Sequence, residues 1–305
     1  MSRVMPTPEE VPQLVPPRGG VVWRYAGDAR LLVASGYALL LQVGHPTVGA
    51  GVSQFSSFKQ DPWGRLFRTL DYTYSMAYGG PELAAEIGRR VRDMHKGIKG
   101  VRPDGERYHA LEPEAYAWVH ATLADAIVRA HHLFGRRLEG ADLATFWEEW
   151  RRSGRLIGVR ERDLPGTWGE FRDYFDDMVE HRLVDNEAVQ DVLDAIRRPA
   201  PPPIPLMREG VWRLLSLPSA RTLWLTTAGL LPPVLRARFG IPWSARDERR
   251  LRALAAASRA ATPLMPKALL VTGPAYLRWR RKAIERGEVA NPERAPGRAA
   301  SAAAA

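Results

Sequence analysis

The sequence predicts an all-α protein, and three observations support this class. Nearly every segment with periodic hydrophobicity repeats at helical spacing, no run alternates as a strand would, and no internal repeat stands out. The predicted helices cover residues 28–43, 62–78, 81–99, 113–134, 141–158 and 167–184. Asp28 can cap the first helix, Gly44 ends it, and His45-Pro46 opens the next segment.

Length and composition fit one large domain. The chain has 305 residues, of which 45% are hydrophobic and 26% charged. We expect a helical domain at residues 21–284, between a flexible arm at 1–20 and a disordered Pro/Ala/Gly tail at 285–305. The run RRPAPPPIP at 197–205 is the clearest break, but the apolar helices after it are predicted to pack back onto the first part.

Composition also narrows the classes of function. The chain has no cysteine, which excludes thiolate ligands to zinc, iron–sulfur clusters or haem. The net charge of +10 is spread along the chain, so no nucleic-acid partner is expected, while peripheral contact with a membrane stays open. The proline-rich start is no secretory signal and the apolar run at 31–43 is too short to cross a bilayer, which predicts a cytoplasmic protein.

The helix predicted at 81–99 presents His95 at the edge of an apolar face. That face contains Leu83, Ala84, Ile87, Val91, Met94 and Ile98. Arg92 and Lys99 come next around the helix. A histidine placed there could be a hydrogen-bonded core residue, a catalytic base or a metal ligand.

The segment GRLFRTLDYTYSMAYG at 64–79 predicts a helix with two unlike faces. One face carries Arg65, Arg68, Thr69, Tyr72 and Met76. The other carries Leu66, Phe67, Leu70 and Ala77, and is predicted to face the core. The polar face could be an anion site or a hydrogen-bonding wall above a bound ligand, and it could equally be an ordinary solvated surface.

Two further histidines lie near predicted packing surfaces. His120 is at the edge of the apolar face of the 113–134 helix, and His45 lies in the junction LQVGHPTVGAG between two helices. Taken singly, each is better explained as a structural histidine bonded to a backbone carbonyl than as a catalytic one.

Several chemistries do not match the motifs present. A di-iron bundle needs two Glu-x-x-His pairs, and only Glu106 to His109 occurs. The chain lacks the zinc-protease, phosphate-loop, dinucleotide and nucleophile-elbow patterns. Haem b fits the remaining inventory, because it needs an imidazole ligand, basic partners for its propionates, a dry helical pocket and polar groups near bound dioxygen.

Five motifs in order resemble the MpaB/rubber-oxygenase (latex-clearing protein) family, formerly a domain of unknown function. They are LQVGHPTVGAGVSQFS, DPWGRLFRTLDYTYSMAYGG, RRVRDMHKGIKG, YHALEPEAYAWVHATL and GLLPPVLRARFGIPWS, and together they span roughly residues 20 to 245. The resemblance implies a globin-like helical bundle enclosing a haem b pocket, with additional C-terminal helices packed on it.

The resemblance also implies roles for individual residues. It makes His95 the axial ligand to the haem iron and Arg92 a basic residue of the same motif. The Arg-x-x-Lys-Thr tract of the relatives is matched by Arg65, Arg68 and Thr69, with arginine at position 68 in place of the lysine. Lys99, His45 and His120 are further candidates for contact with the haem.

These features together predict a haem b-dependent oxygenase. It would activate dioxygen, draw on a redox partner, and oxidise or cleave an apolar small molecule, with isoprenoid compounds as one class. Two alternatives remain at this point: a non-catalytic haem-binding sensor, and a cofactor-free basic helical module that binds anionic membranes or nucleic acid.

Overall fold

Helices form almost all of the regular structure in the computed structural model, which describes residues 5–56, 61–201, 212 and 216–286. The first helices are α1 (Val11–Leu14), α2 (Val21–Tyr25), α3 (Ser35–Gly44), α4 (Pro46–Phe55), α5 (Pro62–Tyr78), α6 (Gly80–Lys96), α7 (Pro113–Phe134) and α8 (Gly140–Ser153). They are followed by α9 (Trp168–Asp177), α10 (Glu187–Arg197), α11 (Leu217–Leu230), α12 (Pro233–Arg238), α13 (Ala245–Ala261), α14 (Lys267–Leu270) and α15 (Gly273–Glu285). The predicted all-α class is confirmed.

Capping side chains set several of the helix starts. Asp61 accepts a hydrogen bond from the backbone N–H of Gly64 at the start of α5, and Thr167 and Glu170 form a reciprocal capping box at α9. Asp28 accepts from the N–H of Arg30, as predicted, but it opens a 3-10 helix (Ala29–Ala34) that leads into α3. The helices predicted at 62–78 and 113–134 have the bounds observed for α5 and α7.

The helix predicted at 81–99 ends three residues early, at Lys96. The chain then forms a small antiparallel hairpin of β1 (Lys99–Val101) and β2 (Arg107–His109), in which Lys99 pairs with His109. The predicted loop VRPDGERYHA therefore contains the turn and second strand of a hairpin. Met94, assigned to the apolar face, is 57% exposed, because the last turn of α6 extends past the surface on which the helix packs.

The core is built around α7, which packs against α3, α8, α13 and the 3-10 helix Ala29–Ala34. Its buried side chains include Trp118, whose indole N–H donates to the carbonyl of Leu41 over 2.8 Å. Fully buried aromatic and aliphatic side chains such as Phe171 and Leu40 surround it, and each contributes about 1.5–3 kcal/mol through burial of apolar surface.

The C-terminal helices pack back onto the first part of the chain. The helix α11 contacts α3 and α10, α13 contacts α7, and α15 contacts α5. Residues 202–205 of the proline-rich run and 287–305 of the predicted tail lie outside the described residues. Within the predicted N-terminal arm, Val11 and Leu14 are buried in the core. The predicted domain boundaries themselves stay predictions.

Helix α6 packs closely against the backbone of the 3-10 helix Gly154–Ile157 at Gly88. A Cβ at this position would lie 2.0 Å from the carbonyl oxygen of Leu156, in the 3-10 helix Gly154–Ile157. Only glycine allows the two backbones to approach this closely.

Across the described parts of the chain, the length and hydropathy needed to cross a membrane are found in no single helix. The pair formed by Ala29–Gly44 and Pro46–Phe55 meets both criteria together, with a bend of 103° between its members.

Candidate functional site

His95 lies in the last turn of α6, half-buried, with its two nitrogen atoms in different states. Its Nδ1 lies 2.7 Å from the carbonyl oxygen of Val91, so Nδ1 carries the proton and donates it. Its Nε2 therefore holds the lone pair, and it makes no hydrogen bond to any described residue. Burial lowers the pKa of His95, which favours the neutral imidazole, and the ring of Tyr116 stands edge-on at 5.4 Å between centroids. This is the arrangement that an imidazole needs in order to bind a metal through Nε2.

A cavity of about 570 Å³ lies between α3, α5, α7 and α10. This volume is within the range of small-molecule sites. Its lining is mainly apolar, with Leu39, Leu66, Leu70, Leu123 and Ile127 among the contributors. The polar side chains in the wall include Ser35, Gln42, Arg65, Thr69, Thr73, Asp191, Asp194 and Arg198.

The structure brings two of the three predicted catalytic residues together on this wall. Arg65 and Thr69 are one turn apart on α5, and both line the cavity. The Nη1 of Arg65 donates to Ser56 Oγ over 2.6 Å, and burial together with the nearby Arg68 lowers its pKa. Arg68 itself is exposed, lies outside the cavity lining and pairs with Asp61 at 3.5 Å.

The two predicted faces of α5 are distributed differently from the expectation. Leu66 and Leu70, assigned to the core, line the cavity beside Arg65 and Thr69. Phe67 packs against the ring of Trp279, with centroids 6.0 Å apart. Ala77 is buried in the core, as predicted. Tyr72 and Met76 of the other face also enter the core, because α7 and α8 cover them.

The residues around His95 do not extend to the cavity. His95 and Arg92 are absent from the cavity lining, and the Nη1 of Arg92 approaches the carbonyl of Gly158 at 3.5 Å. Lys99 is an exposed residue of β1 rather than part of α6. The structure therefore does not gather Arg92 and Lys99 with Arg65 and Thr69.

His120 uses both of its nitrogen atoms within the core. Its Nε2 donates to the carbonyl of Trp150 over 2.9 Å, and its Nδ1 faces the hydroxyl of Tyr72 at 3.4 Å. The Trp150 indole stacks on the imidazole at 5.1 Å and donates back to the carbonyl of His120 over 3.0 Å. Burial lowers the pKa of His120 to about 4.

His45 is buried at the bend between α3 and α4. Its Nε2 lies 3.3 Å from Glu114 Oε1, while its Nδ1 has no hydrogen-bond partner among the described residues. Burial lowers its pKa. Neither His45 nor His120 lines the cavity.

A buried carboxylate that the sequence interpretation did not single out lies behind the cavity. Asp125 accepts hydrogen bonds from Tyr37, from Arg129 Nε at 2.8 Å and from Arg172 Nη1 at 2.6 Å. Its neighbour Ala126 lines the cavity. The one signal in the sequence was an acidic residue within the apolar stretch ATLADAIVRA. Among the described residues there is no cluster of three or more histidine or carboxylate side chains that could hold a metal ion.

Comparison with known proteins gives one clear match. Residues 23–260 match the family described as "ER-bound oxygenase mpaB/B'/Rubber oxygenase, catalytic domain". No curated protein and no solved structure matches the chain. The family match covers more than three quarters of the 305 residues and includes the wall of α5 and His95. The chain therefore belongs to the MpaB/rubber-oxygenase family and carries its oxygenase catalytic domain.

Proposed function

We propose that this protein is a haem b-dependent oxygenase that acts on an apolar small molecule. The observation that carries the proposal is the imidazole of His95. Its Nδ1 is fixed by the carbonyl of Val91 and its Nε2 is left without a hydrogen bond among the described residues, in a chain that belongs to an oxygenase family. A histidine that donates through one nitrogen is oriented to ligate through the other.

The donor set fits haem b in its chemistry. A porphyrin supplies four nitrogen ligands of its own, so its iron needs only one imidazole from the protein. His95 supplies a neutral imidazole, since burial lowers its pKa. When bound, the haem would supply the activation of dioxygen. Arg92 and Lys99 are left out of the proposed site, because Arg92 faces Gly158 and Lys99 lies on the hairpin.

The cavity wall would supply the binding functions of the proposed site. His95 is not part of that wall, but α6, which carries His95, packs against α5, which carries Arg65 and Thr69. The apolar side chains would hold an apolar substrate and exclude water from it. Arg65 would donate hydrogen bonds to negative charge that develops on oxygen during the reaction. The hydroxyl of Thr69, which donates to the carbonyl of Arg65 over 3.1 Å, would turn from that carbonyl in order to donate there as well. Burial lowers the pKa of Arg65, but a guanidinium keeps its proton in proteins, so its role is electrostatic rather than proton transfer.

Haem content tests the ligand assignment directly. Purified protein reconstituted with haem should show a Soret band and a positive pyridine haemochrome test. The variant His95→Gly should lose that band, and added imidazole should restore it by replacing the missing ring. The control is His181→Ala, because the His181 side chain is 67% exposed and, among the described residues, hydrogen-bonds only to Asp177. A His95→Gly variant with the wild-type spectrum would show the ligand assignment to be wrong, and wild-type protein that binds no haem would contradict the whole proposal.

Oxygen consumption separates an oxygenase from a sensor. The haem-loaded protein should consume dioxygen only when an unsaturated apolar compound is present, and Arg65→Gln should reduce that rate by about 100-fold while the Soret band stays. A haem-loaded protein whose oxygen consumption no unsaturated apolar compound increases would favour the sensor.

A further inference from the structure

The surface formed by residues 262–286, called here the C-terminal surface, exposes large apolar side chains. Leu264 is 85% exposed, Leu269 is 48% exposed and Trp279 is 44% exposed. Single exposed apolar residues are ordinary, but three of the nine exposed large apolar side chains among the described residues fall within these 25 residues.

The same surface is positively charged. Its exposed cations include Lys267, Arg278, Arg281 and Lys282, and none of these four forms an ion pair with a described residue. The stretch 262–286 contains a single acidic residue, Glu285. Apolar side chains are therefore bordered by unpaired positive charge.

The helix α15 is held so that this face points outward. Arg280 forms a two-point ion pair with Asp71 of α5, with Nε and Nη2 at 3.0 and 2.8 Å from Oδ2, and Tyr276 donates to Asp71 Oδ1 over 2.7 Å. Arg280 and Ala283 are buried on the inner side. Arg278 and Lys282 are thereby left on the outer side, while Trp279 lies between the two sides, 44% exposed and with its ring against Phe67.

The C-terminal surface adjoins the opening of the cavity. Leu32 lines the cavity and is also 47% exposed, and the 3-10 helix that carries it packs against α14. On the other side, α15 packs along α5, which forms the wall with Arg65 and Thr69. The 3-10 helix Ala29–Ala34 and α5, which both border the cavity, are therefore in contact with the C-terminal surface.

We propose that the C-terminal surface docks the protein on an anionic lipid bilayer. Leucine side chains and a tryptophan suit the boundary between headgroups and acyl chains, and unpaired cations around them are attracted to acidic lipids. A second copy of the chain fits less well, because a two-fold contact through this surface would place its cations against one another. Docking here would bring the cavity opening close to a source of apolar molecules.

Vesicle binding tests this proposal without any cofactor, so its result is independent of the haem assignment. In a co-sedimentation assay, the protein should bind vesicles of phosphatidylcholine containing phosphatidylglycerol at low salt, and bind pure phosphatidylcholine vesicles weakly. Raised salt should weaken the binding, because the attraction is electrostatic. The double variant Leu264→Ser/Leu269→Ser should bind about 100-fold more weakly, at about tenfold for each side chain.

A charge variant and two controls complete the assay. The triple variant Lys267→Glu/Arg281→Glu/Lys282→Glu should lose about 100-fold or more, at about fivefold for each cation removed. The controls Val101→Ser and Arg89→Glu/Arg162→Glu/Arg221→Glu alter exposed residues elsewhere, the second with the same change in net charge as the triple variant, and should lose far less binding than the variants. Thermal melts check that each variant is folded.

Two results would overturn the proposal. The first is equal binding by the variants and the controls, which would mean that the net charge alone attracts the protein. The second is an absence of vesicle binding at low salt, including the case in which the wild type dimerises and the Leu264→Ser/Leu269→Ser variant does not.

Discussion

His95 and His120 both lie at the edge of an apolar helix face, but the protein uses their nitrogen atoms differently. His120 bonds through Nε2 to Trp150 and faces Tyr72 with Nδ1, so both of its nitrogens serve the core. His95 bonds only through Nδ1, to Val91. A ligand to a metal needs a vacant lone pair, and packing has left one on His95 alone of the two. Asp125 resembles His120 in this respect, because donors from Tyr37, Arg129 and Arg172 surround it.

The largest effect on stability should come from the buried network around Asp125, whose carboxylate accepts hydrogen bonds from three side chains. Asp125→Ala removes the acceptor shared by Tyr37, Arg129 and Arg172. Removing one partner of a buried ion pair costs about 3–5 kcal/mol, so the free energy of unfolding in urea should fall by that amount. The control Asp142→Ala breaks an exposed pair with Arg24 at 3.3 Å and should cost less than about 1 kcal/mol. Similar losses for the two variants would contradict the assignment of Asp125 to the core network.

The second effect is a loss of stability in acid that depends on His120. Burial lowers the pKa of its folded form from 6.5 to about 4, so between these values the unfolded chain binds more protons than the folded one. Stability should therefore fall as the pH drops from about 6.5 towards 4, and His120 should contribute a loss of about 2 kcal/mol between pH 7 and pH 5.

The variant His120→Gln checks this origin, because an amide can keep both hydrogen bonds and does not titrate. Its unfolding free energy should change less between pH 7 and pH 5 than that of the wild type. A smaller dependence should persist, since burial also lowers the pKa values of His45, His95 and His131. A dependence equal to that of the wild type would show that His120 is not the responsible group.

The third effect is small and concerns His95. Its hydrogen bond goes to a carbonyl of its own helix and the ring is half-buried, so His95→Ala should lower the unfolding free energy of the haem-free protein by about 1 kcal/mol or less. The matched variant His120→Ala should cost clearly more in the same urea titration. Equal costs would mean that His95 is a structural histidine like His120.

The smallest effect on stability is expected for Thr69→Val. The hydroxyl of Thr69 donates to the carbonyl of Arg65 within the helix, and the residue is exposed. Its replacement should change the free energy of unfolding, measured in urea, by no more than about 0.5 kcal/mol. The effect of this substitution should appear in the rate of oxygen consumption instead. A large loss of stability would place Thr69 in the fold rather than in the site.

Helical periodicity was sufficient to predict most of the fold. The bounds of α5 and α7 follow from caps and from apolar spacing, both of which are local. The end of α6 was not predictable in the same way, because Met94 and Ile98 continue the apolar pattern while the chain turns at Gly97 into a hairpin. Pairing between strands depends on residues distant in sequence, such as His109 opposite Lys99.

The site was only partly predictable from local patterns. Arg65 and Thr69 were identified as a polar face, and the structure places both on the cavity wall. The pattern could not show that Leu66 and Leu70 share that wall, since a helix with two buried sides gives no single apolar stripe. The contributions of Gln42 and Asp191 depend on how α3 and α10 pack across the cavity, which one helix considered alone does not reveal.

The close approach at Gly88 has a consequence for the imidazole two turns further along α6. The absence of a side chain at Gly88 lets the helix pack directly against the carbonyl of Leu156. This contact fixes the rotation of α6 about its axis and its position along that axis. His95 lies on the same helix, so the direction of its ring depends on the packing of a residue that has no side chain. A list of positions essential to this enzyme would therefore be incomplete if it contained only side chains able to touch a ligand.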